Sequence, residues 1–277
     1  MLLGYNTNGL AHHSLPAAIE LLAEIGYRSV GITLDYHALN PYGEHFQREL
    51  QETADLLARH NLRSVVETGA RYLLNPAVKH EPTLVSADEE DRLRRIDFLC
   101  RAIDAAKALG SDCVSLWAGV VRHSAGRATA LAHLTAGLRR VLDYAERQDV
   151  VIGFEPEPGM LIDTMASLEE LLDRVDSPRM KLTLDVGHLH CLSETPIPSV
   201  IRRWSDRLVN VHIEVMRAGI HDHLMFGEGE MEFPPIIAAL AEVGYDGGVH
   251  VELSRHSHDG PRAARRAFEF LSPMMQR

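Results

Sequence analysis

The sequence is poor in cysteine: Cys100, Cys113 and Cys191 are scattered through 277 residues with no Cys-x-x-Cys spacing. That argues against a disulfide framework or a thiolate zinc site, and for a reducing cytoplasm. Basic residues are also scarce, 28 against 39 acidic ones, for a formal charge of -11. Nucleic-acid affinity rests on clustered Lys and Arg, so no broad nucleic-acid surface is expected. No run of about 18 apolar residues occurs, so no membrane span is expected. The opening MLLGYNTNGLAHH lacks the basic start and long apolar stretch of a signal peptide and reads as a first strand. Internal repeats, low-complexity tracts and Pro- or Gly-rich linkers are missing too. The hydrophobic fraction, 45%, suits one sizeable core.

What the chain does have is alternation. Strand-like runs lie near 2–7, 28–34, 62–68, 112–118, 150–155, 181–186, 207–213 and 247–253. Helical runs separate them, from LPAAIELLAEIG through FQRELQETADLLARH to PRAARRAFEFL, with a short piece around IRRW. Gly26, Gly110 and Gly244 sit where helices give way to strands. Eight β-then-α units without a linker predict an α/β fold, a single (β/α)8 TIM barrel over residues 1–277. A doubly wound open sheet is the alternative, but the Gly-rich nucleotide fingerprint expected after its first strand is missing.

Four polar residues end apolar runs in the second half: Glu155 in VVIGFEPEPG, Asp185 in KLTLDVGH, His212 in LVNVHIEV and Glu252 in GGVHVELSR. In a parallel barrel every strand finishes on one rim, which brings such residues together. Three carboxylates and an imidazole suit a divalent ion of intermediate hardness. Strand periodicity agrees, since Asn210, His212 and Glu214 share one face, as do His250, Glu252 and Ser254. By the same phase Glu67 and Trp117 end the third and fourth strands facing the rim, where Glu67 could bind a hydroxyl and Trp117 could stack on the flat face of a ligand. Structural roles, an ion-pair partner and a packing residue, compete with these.

The segments GFEPEPG, LTLDVGH, NVHIEVMRAGIHDHLMFGEGE and VHVELSR resemble the xylose-isomerase-like TIM-barrel superfamily, which includes the family 2 AP endonucleases. The resemblance covers nearly the whole chain. It implies metal ligands at Glu155, Asp185, His212 and Glu252. Glu157 competes with Glu155, but the family places its Glu directly after the apolar run. The implied cofactor is one divalent ion, Mn2+ foremost, with Co2+, Mg2+, Fe2+ or Zn2+ as alternatives. The implied activity is isomerisation or epimerisation of a small sugar or related polyhydroxy carbonyl compound, with Glu155 and Glu252 moving protons through a metal-stabilised enediolate. His188 and Arg217 fall where ketose epimerases hold substrate oxygens.

Other branches of the superfamily leave alternatives. Sugar-acid or cyclitol dehydratases begin with the same proton abstraction and then expel a hydroxyl. In the endonuclease branch residues like His188, His221 and His223 bind a further zinc, which would suit a two-metal phosphoester hydrolase. Trp117 stands where that branch needs another His. A binding barrel without activity is a further reading, against which the intact ligand set argues. The long connection from Arg71 to Asp88 is a candidate lid whose Arg71, Lys79 and His80 bring positive charge toward a phosphate or carboxylate. The expected partner is a small sugar-like molecule, not nucleic acid or membrane, for a cytoplasmic homodimer or homotetramer.

Overall fold

The computed structural model describes residues 1–122, 124 and 126–275. Each expected apolar run is a strand: β1 (Leu2–Asn6), β2 (Ser29–Thr33), β3 (Arg63–Glu67), β4 (Val114–Trp117), β5 (Ile152–Glu155), β6 (Met180–Asp185), β7 (Leu208–Ile213) and, last in the chain, β10 (Gly248–Val251). All pair in parallel and close into a barrel in the order β1, β10, β7, β6, β5, β4, β3, β2. The chain therefore winds once around the barrel, and every strand delivers its last residue to one rim. The fold is a (β/α)8 TIM barrel.

Outside the strands run α1 (Leu15–Ile25), α2 (Phe46–His60), α3 (Glu89–Leu109), α4 (Gly126–Gln148), α5 (Met165–Val175), α7 (Ile197–Trp204), α8 (Phe233–Glu242) and α9 (Gly260–Met275), with the short α6 (Val186–Cys191) over the rim. Their apolar stripes explain the packing. In α2, Phe46, Leu50, Leu56 and Leu57 recur at helical spacing and are buried. Gly26 and Gly110 stop α1 and α3 in the left-handed conformation, as their placement in the sequence suggests. Asp88 starts α3 by accepting from the amides of Glu90 and Asp91.

Two elements were not foreseen. One is α6, which begins directly after Asp185. The other is an antiparallel hairpin, β8 (Val215–Arg217) and β9 (Ile220–Leu224), inserted between β7 and α8. Its sequence, VMRAGIHDHL, is too polar to read as a buried strand.

The barrel interior is unusually polar, and glycine makes room for it. A Cβ at Gly31 would lie 1.8 Å from Asn6 Oδ1, and one at Gly4 would lie 2.3 Å from Cδ2 of His250. Both positions face a neighbouring strand's inward side chain, so no larger residue fits without displacing it.

Candidate metal centre and substrate cavity

Register brings the strand ends together. Asp185 on β6 pairs with His212 on β7, and His212 is level with His250 on β10. Glu155 ends β5, and Glu252 follows β10. One donor atom from each of Glu155, Asp185, His212 and Glu252 lies within 4.8 Å of the others. His212 Nδ1 is the hub: Glu155 Oε1 is 3.0 Å away, Glu252 Oε2 3.2 Å and Asp185 Oδ2 4.0 Å.

The neighbours of these groups fix their orientation. Asp185 divides its oxygens, for Oδ1 accepts from the His188 amide at 2.8 Å and starts α6. Its Oδ2 is buried with no hydrogen-bond partner among the described residues. On the far side of the imidazole, Glu67 Oε1 is 2.9 Å from His212 Nε2 and accepts from Asn210 at 3.1 Å. Placing the ring proton on Nε2 leaves the Nδ1 lone pair facing the carboxylates, the usual arrangement behind a metal-binding imidazole. Asn8 donates to Glu252 Oε1 at 2.9 Å. Burial pushes Glu155 upward, against the pull of His212. His212 is held well above the usual histidine range because Glu155 and Glu67 outweigh the burial that disfavours its charge. An orphaned Asp185 oxygen, an imidazole nitrogen aimed at the carboxylates and two further carboxylates fit a divalent ion, which would displace a proton on binding.

Glu214 crowds this cluster from behind. It is fully buried, and burial followed by the neighbouring Asp185 raises its carboxyl well above the usual range. Both of its carboxyl oxygens are buried with no hydrogen-bond partner among the described residues. The sequence placed Glu214 on the inner face but offered no sign of an unpartnered carboxyl there.

The second cluster departs from expectation. His188 and His221 approach at 3.2 Å between Nε2 atoms, and the third member is Glu157, whose oxygens lie 3.9 Å from His188 Nε2 and 3.6 Å from His221 Nε2. Donor atoms of these three gather within 4.8 Å, and His223 is not in that group. Alternation on β9 puts His221 and His223 on the same side but two residues apart, and His223 Nδ1 instead meets the Glu252 carbonyl oxygen at 3.2 Å. Burial, then Glu155 and Glu252, raise Glu157. Burial lowers His188, and burial with the adjacent His188 lowers His221 to about 4.

A cavity of about 480 Å³ opens over both clusters, lined by Glu155, Glu157, His212, His221, His223 and Glu252. Glu67 and Trp117 line it as their strand phase suggests. Glu67, however, already holds His212 and Asn210, and Trp117 is stacked over the fully buried Arg95 guanidinium at 4.6 Å. Two expected substrate contacts stand elsewhere. His188 is 4% exposed behind the lining, with Nδ1 on the Pro156 carbonyl at 3.1 Å. Arg217 is exposed and is not among the lining residues. It ends β8, where Val215 and Met216 are both buried and the pairing with β9 is irregular between Val215 and Arg217. The connection after β3 does contribute Arg71, Lys79 and His80 to the lining. Asn6, Asn8 and Arg255 also line it, and sequence reasoning missed all three. The motif YNTNG was a usable signal for the two asparagines at the end of β1; nothing marked Arg255.

A family model described as a xylose isomerase-like TIM barrel matches residues 19–274. An uncharacterized protein of Methanocaldococcus jannaschii is 27% identical over 236 residues, 79% of this chain and 78% of its own length. Inosose dehydratase of Lacticaseibacillus casei is 30% identical over 139 residues, 44% of this chain and 46% of that protein. Among solved structures, D-allulose 3-epimerase from Methylomonas sp. has the same fold, with a TM-score of 0.78 and 24% identity over 99% of this chain and 98% of that one.

Proposed function

The chain belongs to the xylose isomerase-like TIM barrel family, and from that premise we propose that it is a metal-dependent isomerase or epimerase of a small polyhydroxylated carbonyl compound. The observation that carries this reading is the opposed pair Glu155 and Glu252. They line one cavity from β5 and β10, which β6 and β7 separate in the barrel, with His212 between them. A carbon beside a carbonyl is a weak acid. Removing its proton needs a base in contact and stabilisation of the charge that develops. Bound at Glu155, Asp185, His212 and Glu252, a divalent ion would supply that stabilisation as a Lewis acid. Mn2+ is the favoured ion for this mixed donor set, with Co2+, Mg2+, Fe2+ or Zn2+ as alternatives.

The chain's own residues do the rest. One of Glu155 and Glu252 takes the proton and the other returns one, the roles exchanging with direction. Asn8 anchors Glu252 through Oε1, which leaves Oε2 on the His212 side. Glu67 and Asn210 keep the imidazole from rotating. Trp117 offers a flat wall on which a sugar ring stacks. A dehydratase is the second reading, supported by the 30% identity with inosose dehydratase. It shares the proton abstraction and differs in expelling a hydroxyl.

Elemental analysis of untagged protein purified without chelators, followed by solvent-deuterium exchange into ketoses and keto acids, tests the proposal. About one equivalent of metal and deuterium at the carbon beside the carbonyl are expected, and a dehydrated product marks the lyase. Two equivalents, zinc above all, would move phosphoester hydrolysis to the front. No metal after reconstitution would end the isomerase reading. Glu252→Gln should cut exchange by about 10²–10⁴-fold in a folded protein, and full activity would remove Glu252 from proton transfer.

A further inference from the structure

The cavity carries both signs of charge: Glu155, Glu157 and Glu252 line it together with Arg71, Lys79 and Arg255. These cations come from two separate places, the connection after β3 and the turn after β10. Several surface arginines elsewhere have carboxylates: Arg101 with Asp97, Arg127 with Glu170, Arg202 with Glu242. Among the described residues, no ion pair includes Arg71 or Lys79. Arg255 is clamped by Asp222 and by the His221 carbonyl at 3.2 Å, which fixes its planar head beside the cavity.

We propose that the substrate carries an anionic group, a phosphate or a carboxylate, and that Arg71, Lys79 and Arg255 form its subsite. The inference rests on the isomerase or epimerase reading of the same cavity and names the substrate class. Arg71 and Lys79 repel each other and have no ion-pair partner among the described residues, so an anion in the cavity would relieve that repulsion. The ammonium of Lys79 is already disfavoured, by burial first and by Arg71 second, and an arriving anion reverses that. Guanidinium forks and an ammonium together match the oxygens of a phosphate or carboxylate. Polarity then sets direction: the carbonyl end of the ligand goes to the carboxylates and metal, and its anionic end to the cations. A neutral sugar leaves the cations unanswered.

Calorimetric titration of the metal-loaded full chain with D-fructose 6-phosphate, D-gluconate and D-fructose tests this. At least one anionic probe should bind about tenfold or more tightly than D-fructose. The preference should vanish in an Arg71→Ala/Lys79→Ala variant, while D-fructose affinity stays unchanged. A stronger response to the ester identifies a phosphate subsite, and a stronger response to gluconate a carboxylate subsite. Lys79→Met alone, at an exposed loop position, should reduce the preference if the double variant does not fold. Equal binding of all three probes, no binding of either anion, or a preference indifferent to both variants overturns the proposal. The anion preference is read from binding and the proton-transfer reading from deuterium exchange, so the failure of one is distinguishable from the failure of the other.

Discussion

His212 and His250 are direct neighbours on adjacent strands, level in register and both buried, yet they live in opposite electrical worlds. Around His212 lie Glu67, Glu155, Asp185 and Glu252, and one of their oxygens has no partner. The groups that bond to His250 are neutral and matched. Its Nε2 is 2.8 Å from Ser29 Oγ and its Nδ1 is 2.8 Å from Asn210 Oδ1. Burial, then the nearby His212, pushes His250 down to about 3, so it stays uncharged. One histidine completes a layer that is finished as the chain folds. The other belongs to a layer that folding leaves chemically incomplete, which is what a ligand site requires. Asn210 joins the two, donating to Glu67 while its carbonyl faces His250.

The largest break in this contrast should come at the join. Glu67→Gln keeps the shape but lets the amide donate toward His212 Nε2, so the ring proton is no longer held there. Metal affinity should fall by about 10–100-fold, measured with a competing chelator. Unchanged affinity would mean that Glu67 serves the cavity wall and not His212.

His250→Phe probes the other layer. It keeps a ring between Gly4 and Gly248 but leaves Ser29 and Asn210 unmatched, at a cost of about 1–3 kcal/mol at pH 7 in urea unfolding. Its pH dependence carries more information. The unfolded histidine takes a proton as pH falls below about 6.5, whereas the folded ring refuses one until about 3. Stability from a neutral His250 is therefore complete above about pH 6.5 and lost progressively toward pH 3, by roughly 4–5 kcal/mol in all. The variant should lose stability less steeply across that window; an equal slope would show that His250 is not held neutral.

Ser29→Ala removes one hydrogen bond from the matched layer and should cost about 1 kcal/mol in the same assay. Metal bound per chain should stay at the wild-type level. A loss of metal would show that the two layers are not separable.

The inward-facing strand positions and the strand-end cluster were legible in the sequence for one reason: both follow strand period and strand end. Glu155, Asp185, His212 and Glu252 each close an apolar run, and the barrel gathers whatever closes its runs. The residues that escaped depend on contacts across the barrel or between loops. Glu157 joins His188 and His221 only because β9 folds back over α6. Arg255 acts on the cavity through Asp222, 33 positions away in the chain. Arg217 lies outside the cavity lining, at the exposed end of a three-residue strand that apolar patterning does not mark.

The close fit of Gly31 against Asn6 ties a position in the barrel wall to the cavity. A side chain at 31 and the carboxamide at 6 compete for the same space, and Asn6 lines the cavity. Any side chain added at 31 is therefore felt where a ligand would sit, and tolerance at that glycine is set by the cavity as much as by the wall.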